Sequence, residues 1–371
     1  MKLTIARNTL VSAMGAAARI VERRNTIPII SNVRLRADGE SLEITSTDLD
    51  IELRVDVAAA IATSGETTVS SANLHDIARK LPDGADIAIE ADEGRMTLRA
   101  GRARFTLNTL PASDFPDIAE GQMDANLRQK GADLARALGK VSFAISTEET
   151  RYYLNGVYMH PDTVDGATVL AFVATDGHRL ARLRLPLHAG CAFAGVIIPR
   201  KTAAIMALLA EDAPEARLAI GATKLAMEFG GGKIAGRLVS KLVDGTFPDY
   251  SRVIPTANTI RAVVDASALK GAIDRVASIS SERGRAVKFA FGDTLTLSVV
   301  NPDSGDARDE IDCEVDGAPI EIGFNARYAL DLINAIDGDT MRFRLADAGS
   351  PAIVESPANA DFLTVLMPMR V

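Results

Sequence analysis

The chain of 371 residues writes one pattern three times, so any fold it adopts must be assembled from three similar parts. Each part opens with a strand-like stretch that runs into an amphipathic helix. In the first, over 3–21, Asn8 is the expected helix cap, and Leu10, Met14, Ala17 and Val21 share a face. The second, over 126–141, places Leu134, Leu138 and Val141 alike, and the third, over 260–279, places Leu269, Ile273 and Val276. Apolar residues every three to four positions mark one buried helical face each time.

A second helix follows about halfway through each part. Ser70 and Ser71 lead into Leu74, Ile77 and Leu81; Pro199 leads into Ile205, Leu208 and Leu209; Asn325 leads into Ala329, Leu332, Ile333 and Ile336. Serine and asparagine supply capping oxygens, and proline suits a helix start. Strands fill the gaps. Ile51, Leu53, Val55 and Val57 alternate with Glu52, Arg54 and Asp56, predicting one buried and one wet face. Phe289 and Phe291, then Leu295, Leu297 and Val299, flank a Gly292-Asp293 turn and predict a hairpin. Two parts even share an ending, Phe115-Pro116-Asp117 and Phe247-Pro248-Asp249. The class is α+β, with boundaries expected near Gly121 and Pro255.

Composition narrows the function. A net charge of −8 argues against a nucleic-acid binder, unless basic and acidic groups occupy different surfaces. With no Trp and only 5% aromatic residues, base stacking is a poor prospect. The two cysteines, Cys191 and Cys313, lie too far apart for a metal motif and read as reduced thiols. No apolar run approaches a membrane span, and Arg7 and Asn8 interrupt any leader core, so a soluble intracellular protein is expected.

Enzyme motifs are weak. Phe229-Gly230-Gly231-Gly232-Lys233 lacks the first glycine of a phosphate loop, with Met227 in its place, and has Ile234 where a hydroxyl should hold magnesium. It reads as a hairpin turn. Asp176-Gly177-His178 offers an acid and a base, but no nucleophile motif accompanies them, and His75, His160 and His188 show no metal spacing.

Four runs carry a resemblance. They are Arg151-Tyr152-Tyr153-Leu154-Asn155-Gly156; Ala174-Thr175-Asp176-Gly177-His178-Arg179-Leu180; Ser240-Lys241-Leu242-Val243-Asp244-Gly245-Thr246-Phe247-Pro248-Asp249-Tyr250; and the ending Met367-Pro368-Met369-Arg370. In this order, with the threefold repeat, the chain resembles the bacterial beta sliding clamps, the processivity subunits of DNA polymerase III. The resemblance implies three repeated clamp domains, 1–121, 122–255 and 256–371, each of two helices packed on antiparallel sheets. It implies a homodimer, two copies joined head to tail in a ring of six domains that encircles duplex DNA and tethers the replicative polymerase. Such a protein is not an enzyme, holds no cofactor or metal, and works in the cytoplasm on the nucleoid. Its implied partners are double-stranded DNA, the polymerase III alpha subunit, the clamp loader, and other polymerases and repair proteins that dock short apolar peptide motifs.

Site residues follow from the same resemblance. DNA contact is expected at Arg24, Tyr152, Tyr153, Arg200 and Lys201, with helix cations Arg79, Lys80, Arg136, Lys140, Lys270 and Arg275 around the hole. Glu148 stands where the family often has Gln and should repel phosphate; Ala72 and Asn73 stand where a base is frequent. The peptide pocket is expected from Leu154, Leu180, Pro248, Val253, Val365, Met367, Pro368 and Met369, ringed by Thr175, Gly177, His178, Arg179, Arg252 and Arg370. Methionines suit a site that accepts several peptides, because the thioether adapts its shape. Arg102, Arg104, Phe105 and Leu107 on one edge, facing Ile279, Asp303, Asp306 and Asp309 on another, are the expected dimer interface. A repeat-built nucleotide hydrolase with a carboxylate site is the competing reading.

Overall fold

The structure, a computed structural model, describes residues 1–22, 26–187, 192–280 and 286–371. Among these, six α-helices fall two to a repeat: α1 Arg7–Ala17, α2 Ser71–Lys80, α3 Gly131–Val141, α4 Arg200–Glu211, α5 Ala266–Ala277 and α6 Ala326–Ala335. The expected faces are buried. Leu10 and Met14 on α1, Leu134 and Leu138 on α3, and Leu269 and Ile273 on α5 are all fully enclosed. Side-chain caps start three helices, where Ser70, Asp265 and Asn325 accept from the backbone N–H groups of Asn73, Ala268 and Tyr328.

Several local expectations are corrected. Asn8 does not cap α1; the helix begins two residues earlier than such a cap implies, at Arg7 after Ala6, with no side-chain cap. The Asn8 side-chain oxygen instead accepts from Arg7 Nη1 at 2.9 Å, and Arg7 donates to the Ala78 and Arg79 carbonyls at the end of α2. That guanidinium satisfies carbonyls a helix end leaves open. Val21 lies beyond the last residue of α1, Ala17. Leu208 is an exposed position on α4. Pro199 ends the strand Val196–Pro199 and so precedes α4. Glu52 is not on a wet face: it is 1% exposed, held by Arg54 Nε at 2.7 Å and the Ile118 N–H at 2.8 Å. A buried carboxylate is tolerated because both donors reach it.

The repeats are not the compact units. In one unit, Met1–Arg136 with 192–194 and Lys201–Leu242, thirteen strands form a continuous sheet. There Ile51–Ala58 of the first repeat pairs antiparallel with Ala235–Lys241 of the second. The other unit comprises 137–187, Gly195–Arg200 and Val243–Val371 and holds a nine-stranded and a four-stranded sheet. Its nine-stranded sheet joins Arg179–Pro186 of the second repeat to Asn359–Leu366 of the third, with Leu180 opposite Val365. Backbone pairing across each repeat junction fuses neighbours that periodicity shows as separate. The expected hairpins are present at Phe291–Leu295 and between Lys224–Gly230 and Ala235–Lys241, which contains the glycine run.

Candidate functional site

Three of the four sequence runs meet on one face of the nine-stranded sheet, and the fourth forms its rim. Strand register sets the floor: Thr175 lies opposite Leu180, and Leu180 opposite Val365. Leu154, Leu180 and Val365 are buried in one cluster with Val173, Ile197, Phe247, Ile353 and Leu363. The segment Val243–Ile254 folds over this floor, with Phe247 stacked on Tyr158 at 4.7 Å. Pro248 and Arg252 are exposed, and Val253 and Met367 are 46% and 38% exposed at the rim. An apolar floor with solvent-facing apolar edges is what a short peptide's anchors require. Pro368 and Met369 are half-buried and Arg370 is exposed; the Met369 N–H bonds the Gly323 carbonyl at 2.8 Å, laying the tail along the strand Ile320–Asn325.

The turn 175–179 is locked by its own polar groups. Thr175 Oγ1 donates to the Arg179 carbonyl at 2.7 Å and accepts from the Gly177 N–H at 3.1 Å. Asp176 Oδ1 accepts the His178 and Arg179 N–H groups at 2.9 and 3.0 Å. Gly177 has φ +87°, a left-handed backbone that favours glycine, and a Cβ there would also push aside the end of the Arg151 side chain. Gly177 and His178 are consequently exposed, and the His178 carbonyl takes the Met367 N–H at 2.9 Å. Thr175, by contrast, is buried with its hydroxyl already engaged. Arg179 also departs from expectation. Its side chain, 10% exposed, runs beneath the turn to Asp176 and Asp331 and offers little surface to a ligand. Phe143, Tyr328 and Asp331, which surround it, belong to other segments and escaped sequence analysis; so did Tyr158 and Ile353 in the floor.

The expected DNA contacts divide. Arg24 lies outside the described residues. Tyr152 is 54% exposed and packs edge-on against half-buried Tyr153 at 5.8 Å. Arg200 is occupied, donating to the Ile145 and Ser146 carbonyls at 2.9 and 2.6 Å. Lys201 is likewise paired, with Asp48 at 2.5 Å and the Ile20 carbonyl at 2.7 Å. Lys140 bonds Asp337 and the Ala335 carbonyl at the end of α6, and Arg275 bonds Asp309 at 2.6 Å. Lys270 donates to Asn334 at 2.8 Å. Arg79, Lys80 and Arg136 are exposed on their helices. Glu148 is paired with Arg151, at 2.7 and 2.9 Å, so a cation stands beside the carboxylate expected to repel phosphate. Ala72 lines an open cleft of about 880 Å³ between α1 and α2 with Arg19 and Arg79, and Asn73 is exposed.

Family models for the N-terminal, central and C-terminal domains of the DNA polymerase III beta subunit match residues 1–119, 128–249 and 251–370. The chain belongs to the bacterial beta sliding clamps. It is 46% identical to the Beta sliding clamp of Caulobacter vibrioides and 39% identical to that of Pseudomonas aeruginosa, each over the whole of both chains. The crystal structure of the C. crescentus clamp with bound PEG superimposes with a TM-score of 0.94 at 45% identity, covering 100% of this chain and 99% of that one. The Bartonella birtlesii clamp bound to griselimycin gives 0.95 at 42% identity, with 100% of both chains covered. The chain is thus built of three clamp domains of mixed helix and sheet.

Each unit of this clamp chain also carries an open sheet edge. Ala103–Leu110 pairs along its length with Arg95–Ala100, and among the described residues only its Thr109 and Leu110 find a second strand. Phe105 and Leu107 are half-buried there, and Arg102 and Arg104 are exposed. Among the described residues, Gly305–Asp312 pairs only with Thr294–Asn301, and it exposes Asp306, Arg308 and Glu310. Asp303 is exposed and Ile279 half-buried, its carbonyl taking Asn301 Nδ2 at 2.7 Å. Asp309 is spent on Arg275, whose guanidinium holds that carboxyl below its usual range. Among the described residues no cluster of three metal-ligating side chains is present, and no helix is long and apolar enough to cross a membrane.

Proposed function

We propose that two copies of this chain close head to tail into a ring that encircles duplex DNA, with domain borders near 121 and 255. The ring holds a replicative polymerase on its template and performs no catalysis of its own. The observation that carries this reading is the full-length family match in domain order, joined to the convergence of separated clamp-like runs on one apolar site. The open edges support closure: arginines flank Phe105 and Leu107 on one, and carboxylates dominate the other. An unpaired edge is a template for another strand, and opposite charge selects which one.

DNA contact in such a ring needs no tight grip. Topology retains the duplex, so a few mobile cations and the exposed Tyr152 suffice for phosphate contact without base readout. Arg24, Tyr152 and Tyr153 remain our assignments, and Arg200 and Lys201 would have to exchange their internal partners to reach phosphate. The floor of Leu154, Leu180 and Val365, with the rim of Pro248, Val253, Met367, Pro368 and Met369, takes short apolar peptides of the polymerase alpha subunit, the clamp loader and repair proteins. Arg252 and Arg370, both exposed, supply charge beside it. The Bartonella birtlesii clamp was crystallised bound to griselimycin, so a clamp of this fold has room for a ligand.

Sedimentation equilibrium with negative-stain electron microscopy tests the proposal. The expected result is twice the chain mass of 39.3 kDa and a particle with a central channel. A monomer at micromolar concentration, or a particle lacking a channel, contradicts it. Nucleotide turnover with divalent metal is expected to be nil.

A further inference from the structure

The docking face is built twice in this chain, once open and once covered. The turn 47–51 of the first repeat reproduces the turn 175–179 bond for bond. Thr47 Oγ1 donates to the Ile51 carbonyl at 2.9 Å and accepts from the Leu49 N–H at 3.0 Å, as Thr175 does with Arg179 and Gly177. Asp48 Oδ1 accepts the Asp50 and Ile51 N–H groups at 3.0 and 2.7 Å, as Asp176 does with His178 and Arg179. Strand register agrees. Thr47 lies opposite Glu52 and Glu52 opposite Val239, where Thr175 lies opposite Leu180 and Leu180 opposite Val365. The Asp50 carbonyl takes the Lys241 N–H at 2.9 Å, the bond that His178 makes with Met367. Phe-Pro-Asp then follows on each, at 115–117 and 247–249. Repetition has thus placed a second copy of the docking geometry in the unit that holds the thirteen-stranded sheet.

Side chains make the two copies behave differently. Where the open site has Leu180 on its floor and Met367 on its rim, the copy has Glu52, 1% exposed, and Lys241, bonded to Asp50 at 2.9 Å. The Ile118 N–H donates to Glu52 Oε2 at 2.8 Å, and Arg34 holds Asp117 at 3.0 Å. Arg237 bonds Glu120 at 2.5 Å, and Lys224 Nζ donates to the Ala119 carbonyl. The segment 115–120 is thereby strapped across the sheet. Its counterpart in the open site is not: Asp249 is spent on Ser251 and Arg252 of its own segment. An arriving apolar anchor could displace the strap only by stripping a buried carboxylate of its N–H donor, a cost that no apolar group offsets. Resting on the docking reading above, we propose that the segment 115–120 is a built-in occupant of a second docking site, and that Glu52 locks it there and so confines apolar peptides to one site per chain. A closed second copy is specificity by exclusion.

The test titrates full-length protein with griselimycin in a calorimeter and reads the stoichiometry. The wild type is expected to take one molecule per chain. E52L/D117A puts a leucine on the covered floor and frees the strap from Arg34; it is expected to take two, the second more weakly. L180E alone, which places a carboxylate on the open floor, should bind none, and L180E added to E52L/D117A should still bind one. A folded E52L/D117A that takes one molecule, and loses it when L180E is added, overturns the proposal. Two molecules per wild-type chain overturn it as well, because the second site would already be open. Amide exchange gives a readout without ligand. In E52L the Ile118 N–H is expected to exchange about tenfold faster or more while the strand Ile51–Ala58 keeps its protection. Should that strand lose protection, E52Q, which keeps the shape without the charge, takes its place with the same expectation. Unchanged Ile118 exchange contradicts the lock. If the wild type does not bind griselimycin, the docking reading fails, and the exchange measurement still decides whether Glu52 holds the strap.

Discussion

At the scale of residues, adjacency in the sequence says little about what a side chain does until its partners are known. Arg179 and Arg252 both flank the apolar site, yet one is enclosed by rings and carboxylates and the other is 83% exposed beside Asp249. Met367, 38% exposed at the rim, is expected to contribute to docking more than to folding. M367A should weaken griselimycin binding by about tenfold, as truncation of a contact residue at a pocket does, with little change in melting temperature. Calorimetric titration and a thermal melt separate the two effects. Cys313 offers an independent check on burial. Desolvation pushes its thiol up from 9.0 to about 11. At pH 8 the reactive thiolate is then about a hundredfold scarcer than for an ordinary thiol, and native-state labelling of Cys313 read by mass spectrometry should be correspondingly slow.

Elements were the most legible level. Apolar spacing located all three first helices of the repeats, and Ser70 and Asn325 were readable as caps because a local side-chain oxygen next to a periodic stretch has few alternatives. Asn8 failed as a cap because Arg7, bound to the distant end of α2, claimed its oxygen. Glu52 failed the alternation rule for a similar reason, its carboxylate being met by a backbone N–H from residue 118. Long-range partners of this kind leave no mark in local pattern. Carboxylates that hold helices make stability depend on acid. Asp265, capping α5, and Asp309, bonded to Arg275, are both held below their ordinary 3.8, the first chiefly by the Ala268 N–H and the second by the guanidinium. A depressed folded value contributes stability above the unfolded value that disappears as pH falls through the folded one. Urea denaturation is therefore expected to show stability falling below pH 3.8, less steeply in D265A/D309A, which should also be weaker at pH 7. At the open edges, strand pairing and apolar contact should outweigh rim charge pairs, each worth only about 0–1 kcal/mol. F105A/I279A is expected to sediment as a monomer with native circular dichroism; an unchanged dimer mass at low concentration would refute that assignment.

At the scale of the whole molecule, the three repeats were plain in the sequence, and the two compact units were not. Which neighbour a strand pairs with is fixed by register between distant segments, Ile51 with Ser240 and Leu180 with Val365, and periodicity carries no such information. Charge was equally opaque. A net −8 hides where the cations sit, and many of those expected to face DNA are bonded within the chain. The proposed ring does not depend on them, because encirclement would hold the duplex. The decisive measurement loads the protein onto a nicked circular duplex with a clamp loader and ATP, raises the salt to suppress phosphate contacts, and then cuts the circle once. The account predicts that protein stays on the intact circle and leaves within seconds to minutes of linearisation, by sliding off an end. Equal retention on cut and uncut DNA, or equal loss from both, would contradict encirclement.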